Sequence, residues 1–150
     1  MRVLVIDDEP DILLLCRVNL GFAGHEVLEA PDGERGMELA MRDRPDLIVL
    51  DVMLPTLDGL SVLRLLRERP ETAETPVILL TARAQIDDQA RGWEAGCAEY
   101  VTKPFSPVAL SSIVARAGEM TPQDRRLRRD QALADLARAL EPLSRGRTSR

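Results

Sequence analysis

Short apolar segments alternate with longer segments of helical period along the first 118 residues. Five apolar segments predict strands, at residues 3–6, 26–29, 47–50, 77–80 and 99–101. Three of these segments are almost continuous runs of Val, Ile and Leu, which is typical of strands that are buried on both faces of a parallel sheet. The sequence therefore predicts a parallel sheet as the centre of the molecule.

Between these segments, apolar residues recur every three or four positions, which predicts amphipathic helices. Several of these helices have a start signal: Pro10 suits the first turn of the first helix, Asp58 is an N-cap for the third, and Ser106 with Pro107 begins the fifth. The alternation predicts a (βα)5 fold of the α/β class, a doubly wound five-stranded parallel sheet with right-handed crossovers and helices on both faces.

Residues 119–150 are expected to form a separate basic tail. Thr121, Pro122 and Asp124 predict the start of a helix that continues to about Leu140, and residues 144–150 are expected to be disordered. The predicted apolar stripe of this helix consists of Leu133, Leu136, Ala137, Leu140 and Leu143. The tail could pack on the preceding domain, pair with a second copy or bind a partner, and it is too short to be a DNA-binding domain.

Composition narrows the class of protein. No apolar run reaches the ~20 residues that span a bilayer, and no signal segment is present, so we expect a cytoplasmic protein without membrane insertion. Cys16 and Cys97 lie in apolar surroundings without metal-ligand spacing, which favours buried thiols in a reducing compartment. His25 is the only histidine, which excludes a multi-histidine metal site.

The charge is unevenly distributed along the chain. Residues 1–118 contain twenty acidic and twelve basic side chains, whereas residues 119–150 contain five acidic and eight basic side chains. An acidic domain without a dense basic stripe does not fit a nucleic-acid-binding domain. Of the twenty basic residues, Lys103 alone is a lysine. This bias suggests that lysine is present where arginine would not serve.

Polar residues that can carry chemistry follow four of the predicted strands. Asp7 and Asp8 follow the first strand, Asp51 the third, Thr81 the fourth and Lys103 the fifth. In open α/β sheets, ligands bind outside the carboxyl ends of the strands, so we expect these residues to meet at one edge. A single carboxylate after a strand is usually a turn or capping residue, but the joint pattern favours a site.

The residue types indicate phosphoryl chemistry. Clustered carboxylates repel one another unless a cation lies among them, and oxygen-only ligands with open positions suit Mg²⁺. Asp51 could then attack phosphorus and form an aspartyl phosphate. The Thr81 hydroxyl and the Lys103 ammonium, a compact point charge, would each hold one phosphoryl oxygen. Pro104 favours a cis or tightly turned peptide that aims Lys103 inward.

Four segments together resemble the receiver domain of two-component response regulators: Val-Ile-Asp-Asp-Glu-Pro (5–10), Leu-Asp-Val-Met-Leu-Pro-Thr-Leu-Asp-Gly (50–59), Leu-Leu-Thr-Ala (79–82) and Tyr-Val-Thr-Lys-Pro-Phe (100–105). The resemblance implies a receiver domain over residues 1–118. It also implies that Asp51 accepts a phosphoryl group from a sensor histidine kinase or a phosphotransfer protein. Asp7, Asp8 and Asp51 would bind Mg²⁺. The Met53 backbone carbonyl would be a further ligand.

The resemblance also implies a switch. Thr81 and Tyr100 match a pair in which the hydroxyl moves toward the phosphoryl group and the ring rotates inward. This change would remodel the surface of the fourth helix, fifth strand and fifth helix, for an output partner that the sequence does not identify or for a homodimer. Tyr100 as a simple core residue is the alternative.

Met53 and Arg83 match positions that control the access of water to the phosphoryl group. Because a Met53 side chain cannot orient an attacking water, we expect a moderately long-lived phosphate on Asp51. The alternative is that Met53 only fills space in its loop.

A phosphatase or phosphotransferase of the haloacid-dehalogenase-like type is the alternative function. Such enzymes have an Asp-x-Asp arrangement at the nucleophile, but the second position here is Met53, and we find no segment that could form a cap domain over a substrate. A phosphoacceptor that at most hydrolyses its own phosphate slowly is therefore favoured over an enzyme.

Overall fold

The computed structural model describes residues 1–148, with side chains as far as Glu141. Its strands are β1 (Arg2–Ile6), β2 (Glu26–Ala30), β3 (Leu47–Leu50), β4 (Val77–Thr81) and β5 (Glu99–Thr102). Its helices are α1 (Pro10–Phe22), α2 (Gly33–Asp43), α3 (Gly59–Glu68), α4 (Ile86–Glu94), α5 (Pro107–Glu119) and α6 (Pro122–Thr148). All five predicted strands are present, and each begins and ends within one residue of its prediction.

The five strands form one parallel sheet in the order β2-β1-β3-β4-β5. Strand β2 lies on one side of β1, and β3, β4 and β5 lie on the other, so the topological switch point of the sheet is between β1 and β3. In the register of this pair, Ile6 lies opposite Leu50, so the residues that follow them, Asp7 and Asp51, lie side by side. The Asp51 amide also donates a hydrogen bond of 3.0 Å to the Ile6 carbonyl.

Apolar side chains pack on both faces of the sheet, as the almost continuous strand sequences predict. On one face, Leu4 and Ile6 of β1 belong to a cluster with buried side chains of α2, α3 and α4. On the other face, Val3 and Val5 belong to a cluster with buried side chains of α1 and α5. The predicted doubly wound (βα)5 class is therefore confirmed.

Helix caps predicted from the sequence are present. The Asp58 carboxylate accepts a hydrogen bond of 3.0 Å from the Ser61 amide at the start of α3. The Ser106 hydroxyl caps α5. Thr121 and Asp124 exchange two hydrogen bonds of 3.0 Å between their side chains and amides, which is the capping box that begins α6.

Helix α6 differs from its prediction in length and in part of its buried face. It continues to Thr148 rather than to about Leu140. Leu133 and Leu136 of the predicted apolar stripe are partly buried, as expected, whereas Ala137 and Leu140 are exposed. Among the side chains of this helix that the structure describes, Ala132 is the most buried, at 6% exposure. The expected disorder of residues 144–150 is wrong for residues 144–148, which belong to this helix. The Leu143 side chain and residues 149–150 lie outside the description.

Helix α6 lies against α4, and its Ala132, Leu133 and Leu136 join the core cluster on that face. Of the three expectations for the tail, packing on the preceding domain is therefore the one that the structure shows. No helix in the described part of the chain is both long and apolar enough to cross a membrane.

Candidate functional site

The carboxyl edge of the sheet brings the predicted chemical residues together. Asp7 and Asp51 follow two neighbouring inner strands, β1 and β3, and Thr81 is the last residue of β4. All three are buried, whereas Asp8 is exposed. Lys103 follows β5, and its amide donates a hydrogen bond of 2.8 Å to the Thr81 carbonyl. Residues that are far apart in sequence thus meet at one edge of the sheet.

The Lys103 ammonium lies among the carboxylates. Its Nζ atom donates to Asp7 Oδ2 at 2.8 Å, to Asp51 Oδ2 at 2.9 Å and to Glu9 Oε1 at 3.2 Å. The side chains of Lys103, Asp7 and Asp51 are only 10%, 2% and 4% exposed. The peptide bond between Lys103 and Pro104 is cis. The cation that clustered carboxylates require is therefore supplied by the protein itself in this structure.

Burial and ion pairing oppose each other in this cluster. Burial is the largest influence on the pKa of Asp7 and raises it, although hydrogen bonds from Lys103 and from the Glu9 backbone act in the opposite direction. Burial alone would lower the pKa of Lys103, but its hydrogen bonds to Asp7 and Asp51 outweigh that effect and raise it. Lys103 is therefore a permanent cation at neutral pH.

Each buried carboxylate is held at both oxygens. In Asp7, Oδ1 accepts from the Glu9 amide at 2.9 Å and Oδ2 accepts from Lys103. In Asp51, Oδ1 accepts from the Met53 amide at 2.9 Å and Oδ2 accepts from Lys103. The two carboxylates are thus fixed in orientation, with a shared ammonium between them.

The loop after β3 depends on a glycine. The Gly59 amide donates a hydrogen bond of 2.9 Å to the Val52 carbonyl, which draws the start of α3 against the loop that carries Asp51. A Cβ atom at Gly59 would lie 2.7 Å from the Val52 Cα and closer still to the Asp51 carbonyl oxygen. Only glycine therefore permits this approach without a shift of the Asp51 backbone.

Four acidic side chains can offer oxygen ligands at this edge. One carboxylate oxygen from each of Asp7, Asp8, Glu9 and Asp51 lies within 4.8 Å of the others. A set of oxygen donors at this spacing, partly open to solvent, fits a small hard cation. The cluster could therefore hold a divalent metal ion, which would share the carboxylates with Lys103.

A chain of contacts leads from the site to the Tyr100 ring. The Thr81 hydroxyl accepts a hydrogen bond of 3.3 Å from the Arg83 amide. The Arg83 carbonyl in turn accepts a hydrogen bond of 2.7 Å from the Tyr100 hydroxyl. Burial raises the pKa of Tyr100 to about 12, so the hydroxyl keeps its proton and remains a donor at neutral pH.

The comparison with known families agrees with this geometry. A protein-family model described as the response regulator receiver domain matches residues 3–115. The chain belongs to this family. The match covers nearly all of the (βα)5 unit, including the acidic cluster, and ends within α5.

Curated relatives of this receiver are longer proteins. The transcriptional regulator RpaA of Synechocystis is 41% identical over 145 residues, which is 97% of this chain and 56% of that protein. The regulatory protein PhoP of Bacillus subtilis is 43% identical over 113 residues, 75% of this chain and 46% of that protein. The chain spans about half the length of these two relatives, whose names describe regulators of transcription.

Solved structures show the same fold. A putative response regulator from Chloroflexus aurantiacus has 32% sequence identity and a TM-score of 0.76, and the match covers 79% of this chain and 98% of that one. Helix α6 accounts for most of the part of this chain that the match leaves uncovered.

The remaining predicted residues lie around the receiver's acidic cluster. The Met53 side chain is 49% exposed beside Asp51. The Arg83 guanidinium points toward Asp88, with 3.8 Å between Nη1 and Oδ1. Glu9 stands at the N-cap position of α1, but its carboxylate makes no capping hydrogen bond to the described residues and instead pairs with Lys103. The adjacency of Glu9 to Asp7 and Asp8 was the signal for this role.

Proposed function

We propose that Asp51 accepts a phosphoryl group from the phosphohistidine of a sensor histidine kinase or phosphotransfer protein. The observation that carries this proposal is the Asp51 carboxylate itself, buried at the carboxyl end of β3 and fixed by Lys103 and the Met53 amide. An oriented carboxylate without a solvent shell of its own is a prepared nucleophile.

The transfer is a displacement at phosphorus. One Asp51 carboxylate oxygen forms the new P–O bond while the P–N bond to the donor imidazole breaks, and the imidazole leaves as a neutral ring after taking up a proton. Lys103 stabilises the negative charge on one phosphoryl oxygen, and the Thr81 hydroxyl donates to another. The product is an aspartyl phosphate.

The acidic cluster would hold a metal ion for this transfer. Asp7, Asp8 and Asp51, with the Met53 backbone carbonyl as a further ligand, are the residues that would bind Mg²⁺. Bound there, Mg²⁺ would supply positive charge that offsets the negative charge of the carboxylates and of the phosphoryl group. Lys103 then exchanges part of its carboxylate contacts for the phosphoryl group.

Phosphorylation is read out through Thr81 and Tyr100. When the Thr81 hydroxyl turns toward the phosphoryl group, its contact with the Arg83 amide is lost, and the Tyr100 hydroxyl loses its fixed acceptor on Arg83. The Tyr100 ring then moves inward and changes the surface made by α4, β5 and α5. That surface is the site of partner binding or of dimer formation in a cytoplasmic signalling pathway.

Intact-mass spectrometry tests the phosphoacceptor role. After incubation with acetyl phosphate and Mg²⁺, wild-type protein should carry one phosphoryl group, and Asp51→Ala should carry none. The matched control is Asp11→Ala, because Asp11 is an exposed aspartate at the start of α1 outside the acidic cluster. Equal phosphorylation of Asp51→Ala, or multiple-turnover hydrolysis of sugar phosphates by wild type, would contradict the proposal.

A further inference from the structure

Helix α6 presents one continuous face to the receiver. Its partly or fully buried positions in the described part of the chain recur every three or four residues: Arg125, Arg128, Arg129, Ala132, Leu133 and Leu136. This face is half basic and half apolar. The surface beneath it consists of α4, the start of β5 and the loop before β4.

Arg128 makes the central contact of this face. Its guanidinium donates to both oxygens of the Glu99 carboxylate, with Nε–Oε2 at 3.2 Å and Nη2–Oε1 at 2.9 Å. The same guanidinium lies over the Trp93 ring, 4.9 Å from its centroid. A two-point ion pair combined with a cation–π contact fixes both the position and the rotation of the helix.

Arg125 anchors the start of the helix. It donates to the Glu74 carbonyl at 2.7 Å and to the Met120 carbonyl at 3.0 Å, and it also pairs with the Glu74 carboxylate at 3.3 Å. Its side chain is only 13% exposed. The basic half of α6 thus meets acidic partners on the receiver at two separate places.

The apolar half of α6 lies next to the switch residue. Ala132 and Leu136 line a groove of ≈ 300 Å³ whose other wall includes Trp93 and Tyr100. The Tyr100 ring packs in the same cluster as Leu133 and Leu136. The Tyr100 ring therefore borders the same groove as α6, while its hydroxyl is linked through Arg83 to the site edge.

We propose that α4 and β5 form a helix-binding surface whose occupant is α6 of the same chain, and that α6 in this place opposes phosphorylation of Asp51. This inference rests on the proposed function. With α6 docked, the Tyr100 ring is held in the groove wall. When the ring leaves that wall, α6 loses apolar contact, so the phosphorylated receiver binds α6 less tightly.

The coupling must be reciprocal. If phosphorylation weakens the docking of α6, then the docking of α6 weakens the binding of a phosphoryl group by the same factor. Loss of α6 contacts should therefore favour the phosphorylated state without any change at the acidic cluster. It should also uncover the α4–β5 surface for a partner with a similar amphipathic, arginine-bearing helix.

The test measures the affinity of the full chain for beryllium fluoride, a phosphoryl mimic, in the presence of Mg²⁺. Arg128→Ala removes the central contact of α6, and Leu136→Lys independently disrupts the apolar half. Arg126→Ala is the matched control, since Arg126 is an exposed arginine of the same helix. Trp93 is the only tryptophan, so its fluorescence and its quenching by acrylamide report directly on whether α6 covers it.

We expect Arg128→Ala and Leu136→Lys to bind beryllium fluoride about fivefold more tightly or better, in the range of ordinary coupling energies, and Arg126→Ala to match wild type. Saturating beryllium fluoride should raise the quenching of Trp93 in wild type toward its value in Arg128→Ala.

Equal affinities in all four proteins would overturn the inference and leave the proposed function standing. Failure of wild type to bind beryllium fluoride would overturn both. A wild-type dimer in sedimentation that Arg128→Ala dissolves would show that α6 docks on a second copy, which would overturn the same-chain assignment.

Discussion

Replacement of Lys103 by methionine tests the electrostatics of the acidic cluster. Met is close to Lys in length and volume, so the change removes the charge and keeps most of the packing. It leaves the Asp7 and Asp51 carboxylates, 2% and 4% exposed, without the ammonium that now lies 2.8 and 2.9 Å from them. The buried charges lose their compensation, and the folded state becomes less stable.

The size of the effect follows from the burial of the pair. Removal of one partner of a buried ion pair costs about 3–5 kcal/mol, and we expect about 3 kcal/mol here because the Glu9 side of the cluster is open to solvent. For a chain of this length, this corresponds to a fall in melting temperature of about 6 °C or more. Urea unfolding curves in EDTA measure it directly.

Two conditions should reverse the loss. Saturating Mg²⁺ should restore much of the stability of Lys103→Met, because the cation binds the folded carboxylates and not the unfolded chain. Acid should also reduce the loss. Burial raises the pKa of Asp7 in the folded state above its value in the unfolded chain. The ionised carboxylate therefore destabilises the folded state at high pH. This destabilisation is lost as the pH falls through the folded pKa, because the buried carboxyl group takes up a proton. The loss should thus be smaller near about pH 5 than near about pH 7.

The matched control is Arg42→Met, which removes a cation that is 58% exposed in a surface pair and should change little. Lys103→Arg should keep most of the stability, since it keeps the charge, but should impair phosphoryl uptake because a planar fork replaces a point charge. If Lys103→Met unfolded like Arg42→Met in EDTA, or if Mg²⁺ stabilised both variants equally, the account of the cluster would be wrong.

The other predictions concern the site loop, the thiols and the phosphate lifetime. Gly59→Ala should lower the free energy of unfolding by about 1–3 kcal/mol, measured in urea, because the new methyl group meets the Asp51 backbone. An unfolding curve identical to that of wild type would contradict this, since it would show that the loop shifts without loss of stability. Cys16 and Cys97 should stay unreactive to a thiol reagent at about pH 8 until the chain unfolds, because burial raises both pKa values, that of Cys16 to about 11; rapid labelling of native protein would contradict this. Met53→Asn should speed phosphate release from Asp51, because an amide can orient the attacking water; an unchanged release rate would count against a role for Met53.

The fold was largely predictable because strands and helices of this chain differ clearly in period. Continuous Val/Ile/Leu segments such as Leu47–Leu50 have the length of a buried strand. Because the strands are parallel, their carboxyl ends then lie at one edge of the sheet. The grouping of Asp7, Asp51 and Lys103 follows from this topology, so it could be inferred without coordinates.

The face of α6 could not be inferred in the same way. Apolar spacing pointed correctly to Leu133 and Leu136 but also to Ala137 and Leu140, which are exposed, because the stripe was read from hydrophobic residues alone. The docked face is decided by partners that are distant in sequence, above all Glu99 and Trp93, which bind Arg128. The long apolar stem of an arginine can pack while its head is paired, so a basic segment is not always a solvated one.

The phosphoacceptor assignment is tested most directly by chemical trapping. Borohydride reduces an acyl phosphate on aspartate to homoserine, so protein treated with acetyl phosphate and Mg²⁺ can be reduced, digested and mapped by peptide mass spectrometry. The account predicts homoserine at residue 51 and at no other acidic position. Homoserine at Asp7, Asp8 or Asp58, or none at all under conditions in which the phosphate label is retained, would contradict it.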